Sequence, residues 1–289
     1  MRRQLTPIFF LISALILSSA EVKAKPNQLK HTAPVKALSH SPDGKQLATA
    51  SYHRSIIIWD LKTWKPIRMM KGHASDIWTM SYSPDGKRLA TGSTDSTTII
   101  WNPTTGKRLL TLKGHAGWIL DLSFSPDGKY LATASRNDTA IVWSTKREKK
   151  IHALKGHSED VNAIRFSPDG KFLVTGSSDE TAIIWDAKTG KQIHKIRCGQ
   201  SIYELQFSPN GKELALSGEV VTTVREVKDW QRIQILKSDG LIILASAYSP
   251  DGNLFAVSSA FRKNNVVIWN MQEGTRLRSL KGHTGLVRD

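Results

Sequence analysis

Short apolar runs follow one another along almost the whole chain, and polar turns separate them. In "WILDLSFS", residues 118–125, Leu122 and Phe124 fall on one side while Asp121 and Ser123 fall on the other. Alternation with a period of two predicts a half-buried β-strand. The turn "SPDG" comes next: proline presets φ, aspartate accepts local hydrogen bonds, and glycine tolerates a positive φ. "KYLATAS" and "TAIVWS" are β-prone runs joined by the tight turn "RND", and "KKIHALK" supplies a fourth strand.

The same unit recurs. "SPDG" ends at Gly44, Gly86, Gly128, Gly170 and Gly252, and "SPNG" ends at Gly211, in steps of 42, 42, 42, 41 and 41. Lys-Gly-His recurs around Gly72, Gly114, Gly156 and Gly282. Trp59, Trp101, Trp143 and Trp185 each lie 15 residues after a turn glycine, and Trp269 lies 17 after one. Three landmarks held in phase define an internal repeat. Strands this short need a partner sheet on each side to bury both faces, which radial repetition around a channel provides.

Gly-His, "SPDG" and Trp-Asp (Trp59-Asp60, Trp185-Asp186) at this period resemble the WD40 repeat family, over roughly residues 27–289. The resemblance implies an all-β propeller of four-stranded antiparallel blades. Its six repeats would span about 28–70, 71–112, 113–154, 155–196, 197–236 and 237–280, with the start of a seventh at 281–289. In this family the repeat is offset from the blade. "TRLRSLKGH" would then complete blade six, "GLVRD" would begin another inner strand, and "PNQLKHTAPV" would be an outer strand ahead of blade one.

The resemblance also implies a hydrogen-bonded network in each blade: His73, Thr91 or Ser93, Asp95 and Trp101 in unit two, and His157, Thr175 or Ser177, Asp179 and Trp185 in unit four. A buried indole N–H, imidazole and carboxylate must all be paired. Several units depart from the pattern. Unit one has His31 without its glycine and His53 in place of the aspartate, and unit three has Asn137 there. Unit five has Cys198-Gly199 for Gly-His and Arg225-Glu226 for Trp-Asp, and unit six has no Gly-His at its start. These blades are expected to rest mainly on strand packing, with blade five the weakest. A Ser, His and Asp trio can mark a hydrolase. Here the trio recurs in separate units beside a tryptophan, with no distinct nucleophile turn, so the residues read as structural and no catalytic residue is expected. The two histidines of "HALKGH" lack acidic or cysteine partners, so neither a metal nor a cofactor is expected.

Residues flanking the inner strands rim the face that carries the Gly-His loops in this family. The matching positions are Asp76, Trp78, Trp118, Asp160 and Tyr203, joined by Tyr52 and Arg136 before the turn aspartate. Exposed Trp, Tyr and Arg are the usual anchors of interfaces. The competing reading is that Trp78 and Trp118 pack between blades. Trp64 and Trp230 fall in outer turns and are expected to pack under loops.

Charge and composition change this picture in three places. The chain carries 41 Lys and Arg against 25 Asp and Glu, a net +16. Nine of the lysines belong to the repeat template, at 71, 113, 155 and 281 before Gly-His and at 45, 87, 129, 171 and 212 after the turn. The charge is therefore spread around the rim, which suits diffuse attraction to an anionic surface; no nucleic-acid reader is expected. A single cysteine, Cys198, excludes an intramolecular disulfide and reads as a small buried apolar residue. At the N-terminus, Arg2 and Arg3 precede the apolar run Ile8 to Leu17 and the small residues Ser18, Ser19 and Ala20. This is the layout of a signal peptide over 1–24, cleaved after Ala20 or Ala24. The run is far shorter than the roughly 20 residues a membrane span needs. The sequence therefore reads as an exported protein, periplasmic or secreted, with no transmembrane span after cleavage. The function expected is a non-enzymatic scaffold that binds a protein or peptide on the Gly-His-loop face. The alternatives are a propeller that binds carbohydrate or an anionic surface polymer, and a propeller enzyme, for which no acid, base or nucleophile cluster stands out.

Overall fold

The Ser-Pro-Asp-Gly turn closes the same way each time. Ser41 Oγ donates to Asp43 Oδ1 at 2.6 Å and accepts from the Gln46 amide, while the Gly44 amide bonds the Ser41 carbonyl. Gly44 has φ +68°, a conformation that glycine adopts without steric cost. Asn210 substitutes for the aspartate in blade five, accepting from Ser208 Oγ at 2.8 Å. Each turn aligns the strands before and after it, and two further reversals complete an antiparallel sheet.

The computed structural model describes residues 29–240, 242–260 and 265–282. They contain no helix and form six four-stranded antiparallel sheets, each in sequence order. Blade one runs from Val35 to Lys71, two from Ile77 to Lys113, three from Ile119 to Lys155, four from Val161 to Arg197, five from Glu204 to Lys237 and six from Ile242 to Leu280. Thr275–Leu280 is the outer strand of blade six. Residues 29–34 carry no strand; the rest of the proposed leading outer strand, the signal-peptide region and "GLVRD" lie outside the described residues.

The first strand of each blade is innermost. These strands pack on one another successively from blade one to blade six, around an axial channel of about 780 Å³. Among the described residues, no comparable packing returns blade six to blade one.

The core lies between the blades, in five apolar clusters, one for each consecutive pair. The forward face of blade three offers small and aliphatic side chains, among them Ala132, Ala140, Val142 and Leu154. The rear face of blade four answers with bulkier ones, Val161, Phe166, Leu173 and Trp185. This small-against-large match recurs around the molecule and lets interiors pack without voids.

β-Bulges recur in phase as well. Ile67, Leu109, Ile151, Ile193, Ile233 and Leu277 each sit where an outermost strand slips register. A bulge twists an exposed edge and discourages pairing with another chain.

The two outer-turn tryptophans differ from each other. Trp230 is 8% exposed and meets Phe172 of the preceding blade edge-on, with ring centroids 5.3 Å apart. Trp64 is 68% exposed, contrary to the expectation that it packs under a loop. Its packing surface would be the blade before blade one, and nothing described stands there.

Candidate functional site

In blade two the buried polar groups form a directed relay. Trp101 Nε1 donates to Thr91 Oγ1 at 2.9 Å, and Thr91 Oγ1 meets His73 Nε2 at 2.8 Å. His73 Nδ1 faces Asp95 Oδ2 at 3.0 Å. A carboxylate only accepts, so His73 Nδ1 is the donor to Asp95, while Nε2 shares the second hydrogen bond with the Thr91 hydroxyl. Asp95 also accepts from Thr97 Oγ1 at 2.6 Å and from the Ala74 amide at 2.8 Å. Burial opposes the Asp95 charge, but the bonds from His73 and Thr97 outweigh it and hold the carboxyl well below its usual range. Blade four repeats the relay through Trp185, Thr175, His157 and Asp179. There burial again opposes ionisation, and bonds from Thr181 and His157 bring Asp179 down to about 2. Every polar member of the relay is hydrogen-bonded, and the relay fastens the strands of its blade together.

Blades one and three, expected to rest mainly on strand packing, keep the relay with other terminal acceptors. His31 Nε2 meets Thr49 Oγ1 at 2.7 Å and its Nδ1 meets Ser55 Oγ at 2.9 Å, while Trp59 Nε1 donates to Thr49 at 2.8 Å. His115 meets Thr133 at 2.8 Å and Asn137 Oδ1 at 3.1 Å. Neither acceptor is charged, and burial pushes both imidazoles down to about 4.

The rim positions divide into two groups. Trp78, Trp118, Arg136, Asp160 and Tyr203 line the mouth of the channel. Tyr52 and Asp76 line a separate hollow of about 400 Å³ with His53, Arg54, Lys71 and His73. At the mouth the side chains stack in a ladder across four blades. Lys36 Nζ lies 4.0 Å from the Trp78 ring centre, Trp78 and Trp118 are 6.0 Å apart with a 44° tilt, and the Arg136 guanidinium lies 4.8 Å from the Trp118 ring centre. Arg136 Nε then pairs with Asp160 at 3.1 Å. Both readings of the tryptophans meet here: they stack across blades, and Trp118 still leaves 39% of its surface exposed.

Backbone register explains why these residues converge. Lys36, Trp78, Leu120 and Asn162 are the extra residues at bulges in successive inner strands. A bulge re-aims its side chain, and all four line the channel. The turn residues are tied in by a repeated backbone bond, Thr94 N to Asp76 O, Arg136 N to Trp118 O and Ser178 N to Asp160 O, at 2.9–3.0 Å.

Sequence reasoning missed Lys36 as a rim residue, although it occupies the same repeat position as Trp78. It also missed an ion triad deeper in the channel. Arg165 Nη1 bonds Asp121 Oδ2 at 2.8 Å and its Nη2 bonds Glu204 Oε1 at 3.0 Å, which joins blades three, four and five. Burial opposes the Arg165 charge, but the two carboxylates more than offset this and raise its pKa above the ordinary value. Among the described residues, no group of three His, Cys, Asp or Glu side chains is placed to hold a metal. Cys198 is half-buried against the cluster between blades four and five, and burial raises its thiol to about 11.

Radial four-stranded blades, an axial channel and a Trp-Thr-His-Asp fastener define a WD-type β-propeller. The family described as "IFT122 first beta-propeller" matches residues 118–288, and the family described as "Echinoderm microtubule-associated protein second beta-propeller" matches residues 35–195. Each match spans more than half of the chain, and what the two share is the WD40-type propeller. The chain belongs to the WD40 repeat β-propeller family. Propellers of this kind are typically non-enzymatic scaffolds for protein interaction.

Proposed function

We propose that this chain is an exported, non-enzymatic scaffold that binds a protein or peptide across the channel mouth on its Gly-His-loop face. The observation that carries the reading is the ladder Lys36–Trp78–Trp118–Arg136–Asp160. It sets two large aromatic side chains and two cations in fixed positions before any partner arrives. Groups ordered in advance lose little freedom on binding, so more of the interaction appears as affinity. Trp and Arg at the centre of a surface are also the commonest binding hot spots. The hollow at Tyr52 and Asp76 extends the same face beyond the mouth.

Carbohydrate binding is less well supported, because a sugar needs an open indole face. Trp118 lies between Trp78 and Arg136, and Trp78 lies between Trp118 and Lys36. The surplus of basic residues strengthens encounters with anionic surfaces without fixing a partner. Export rests on the N-terminal pattern of Arg2, Arg3 and the run Ile8 to Leu17. N-terminal sequencing of the protein from fractionated cells tests it: a start at Glu21 or Lys25 in the exported fraction agrees, and a start at Met1 in the cytoplasm does not.

The binding test compares proteins recovered from an envelope extract by the immobilised chain and by a Trp118→Ala, Arg136→Ala variant. The expected result is one defined protein lost from the variant by about tenfold or more, while the circular dichroism spectrum and melt are unchanged. Equal recovery by both would rule out this face. Recovery of polymer in place of protein, weakening steeply with salt, would favour the carbohydrate reading.

A further inference from the structure

The repeat supplies an internal control for charge. Each blade meets the next at a corner made by its middle turn and by the stretch that leads from its outer strand into the next blade. The outer strands of blades one to five end on a basic residue: Lys71, Lys113, Lys155, Arg197 and Lys237. In blades two to five the middle turn sets carboxylates in the same corner, namely Asp95, Asp138, Asp179 with Glu180, and Glu219. In blade three the corner is further neutralised by the pair of Arg136 with Asp160. Blade one inverts the pattern. Its turn is Tyr52-His53-Arg54, with no carboxylate, so Arg54 and Lys71 face a single acid in their corner, Asp76. In blades two to five the carboxylates at least balance the cations; in blade one the cations are in excess.

The second hollow, of about 400 Å³, lies at this same corner, lined by Tyr52, His53, Arg54, Lys71, His73 and Asp76. Among the described residues, neither Arg54 nor Lys71 forms an ion pair. Arg54 has φ +59°, a backbone setting shared by Ser96, Asp138 and Glu180 at the same turn position, so the turn presents it without help from a protein partner. His53 Nδ1 is held by Thr32 Oγ1 at 3.0 Å. We propose that this hollow binds a phosphomonoester group. A guanidinium fork, an ammonium, an imidazole and a phenol hydroxyl offer more donors than the two oxygens of a carboxylate can use. A phosphomonoester brings three acceptor oxygens and a charge of about −1.5 to −2 at neutral pH. Asp76 repels it, so the group sits on the side of Arg54 and Lys71. The net charge of +16 raises the concentration of such anions near the surface. A soluble phosphate ester and a lipid headgroup carry this same chemistry. The site is separate from the ladder at the channel mouth and does not depend on it.

Calorimetric titration of the purified chain with inorganic phosphate and with glycerol phosphate tests this, at fixed ionic strength and with acetate as the control. The expected result is a single site for either phosphate, with acetate weaker by about tenfold. Phosphate at about ten times its Kd should raise the melting temperature by about 3 °C. Arg54→Asn and Lys71→Gln should each weaken phosphate binding by about tenfold. Both should melt like the parent, because both side chains are exposed and asparagine suits the left-handed position of residue 54. Asp76→Asn should strengthen binding by about threefold, and this gain decides the matter if a cation variant unfolds. Lys113→Gln, the same repeat position in blade two, should change nothing. Vesicles containing phosphatidic acid, a lipid phosphomonoester, separate the two sources. Capture of the chain by these vesicles without binding of glycerol phosphate assigns the group to a lipid; binding of glycerol phosphate in solution assigns it to a soluble ester. No binding to either soluble phosphate or to the vesicles overturns the proposal, and so does acetate that binds as well as phosphate. A loss in Lys113→Gln equal to that in Lys71→Gln overturns it too, since the attraction would then be diffuse. The Trp118→Ala, Arg136→Ala variant should bind phosphate like the parent. Loss of phosphate there would move the site to the channel mouth and overturn this proposal, while loss of the protein partner alone would leave it standing.

Discussion

Blades four and five have the same strand order and similar cores, but they solve the problem of buried polar groups in opposite ways. Blade four pairs all of them: Trp185, Thr175, His157 and Asp179 form a closed chain of donors and acceptors. Blade five removes them together. Leu216 occupies the position of Thr175, Arg225 that of Trp185 and Gly199 that of His157. Leu216 is fully buried, and Arg225 turns its Nη1 to the Trp230 carbonyl at 2.8 Å. In place of the relay, Gln200 donates to the Val221 carbonyl and accepts from the Glu219 and Val220 amides. The relay is therefore one way to close a blade rather than a requirement for it. Blade five does so at a cost: Thr223 Oγ1, Arg225 Nε and Gln234 Oε1 are buried there without a hydrogen-bond partner among the described residues, so loss of the set closes the blade without pairing every buried group.

That comparison can be broken by half-measures. The largest effect is expected from Thr175→Val, which keeps the shape of the side chain but leaves the Trp185 N–H and His157 Nε2 unpaired in the core. Chemical denaturation should show a loss of about 3 kcal/mol; a loss below about 0.5 kcal/mol would mean that the relay contributes no net stability. The converse change in blade five, Leu216→Thr, buries a hydroxyl among apolar neighbours and should destabilise by about 2 kcal/mol. If Leu216→Thr is neutral, blade five tolerates polar groups and the contrast with blade four fails.

Acid should separate the blades next. His31 and His115 have folded pKa values of about 4, below the ordinary 6.5. Between those values the unfolded chain binds protons that the folded chain does not, so stability falls as pH drops from 6.5 toward 4 and is level above that window. The melting temperature should fall by about 5 °C or more across the window, with His31→Gln and His115→Gln together flattening the slope. A flat profile in the parent would contradict the neutral relay. The smallest effect is expected from Asn137→Asp, which gives blade three the carboxylate found in blades two and four. The His115 pKa should rise, readable in an NMR titration of the ring, and stability at pH 5 should increase by about 0.5 kcal/mol. An unchanged or lowered His115 pKa would mean that the terminal acceptor does not tune the ring.

The sequence made the blades legible because turn, histidine and tryptophan stay in phase with one another, and each marks a separate point in one sheet. It made the aromatic rim partly legible, since Trp78, Trp118 and Arg136 stand out by residue type. It did not show that Lys36 completes the ladder, because that depends on which neighbour a bulge turns its side chain toward. Trp64 was misread for a related reason. An outer-turn tryptophan packs on the preceding blade, as Trp230 does on Phe172, and a local reading of the turn does not show that no described residue stands there for Trp64. Substitutions such as Asn137 for aspartate look like losses in a pattern search, yet the geometry needs only an acceptor within reach of His115 Nδ1.

The central claim, that the channel mouth is the partner surface, is tested most directly by a photo-crosslinking residue placed at Tyr203 in cells that make the protein. Tyr203 lines the channel mouth with Trp78, Trp118 and Arg136. The account predicts one discrete adduct to another protein, lost when Trp118→Ala and Arg136→Ala are introduced together. No adduct, or an adduct that survives those changes, would contradict it.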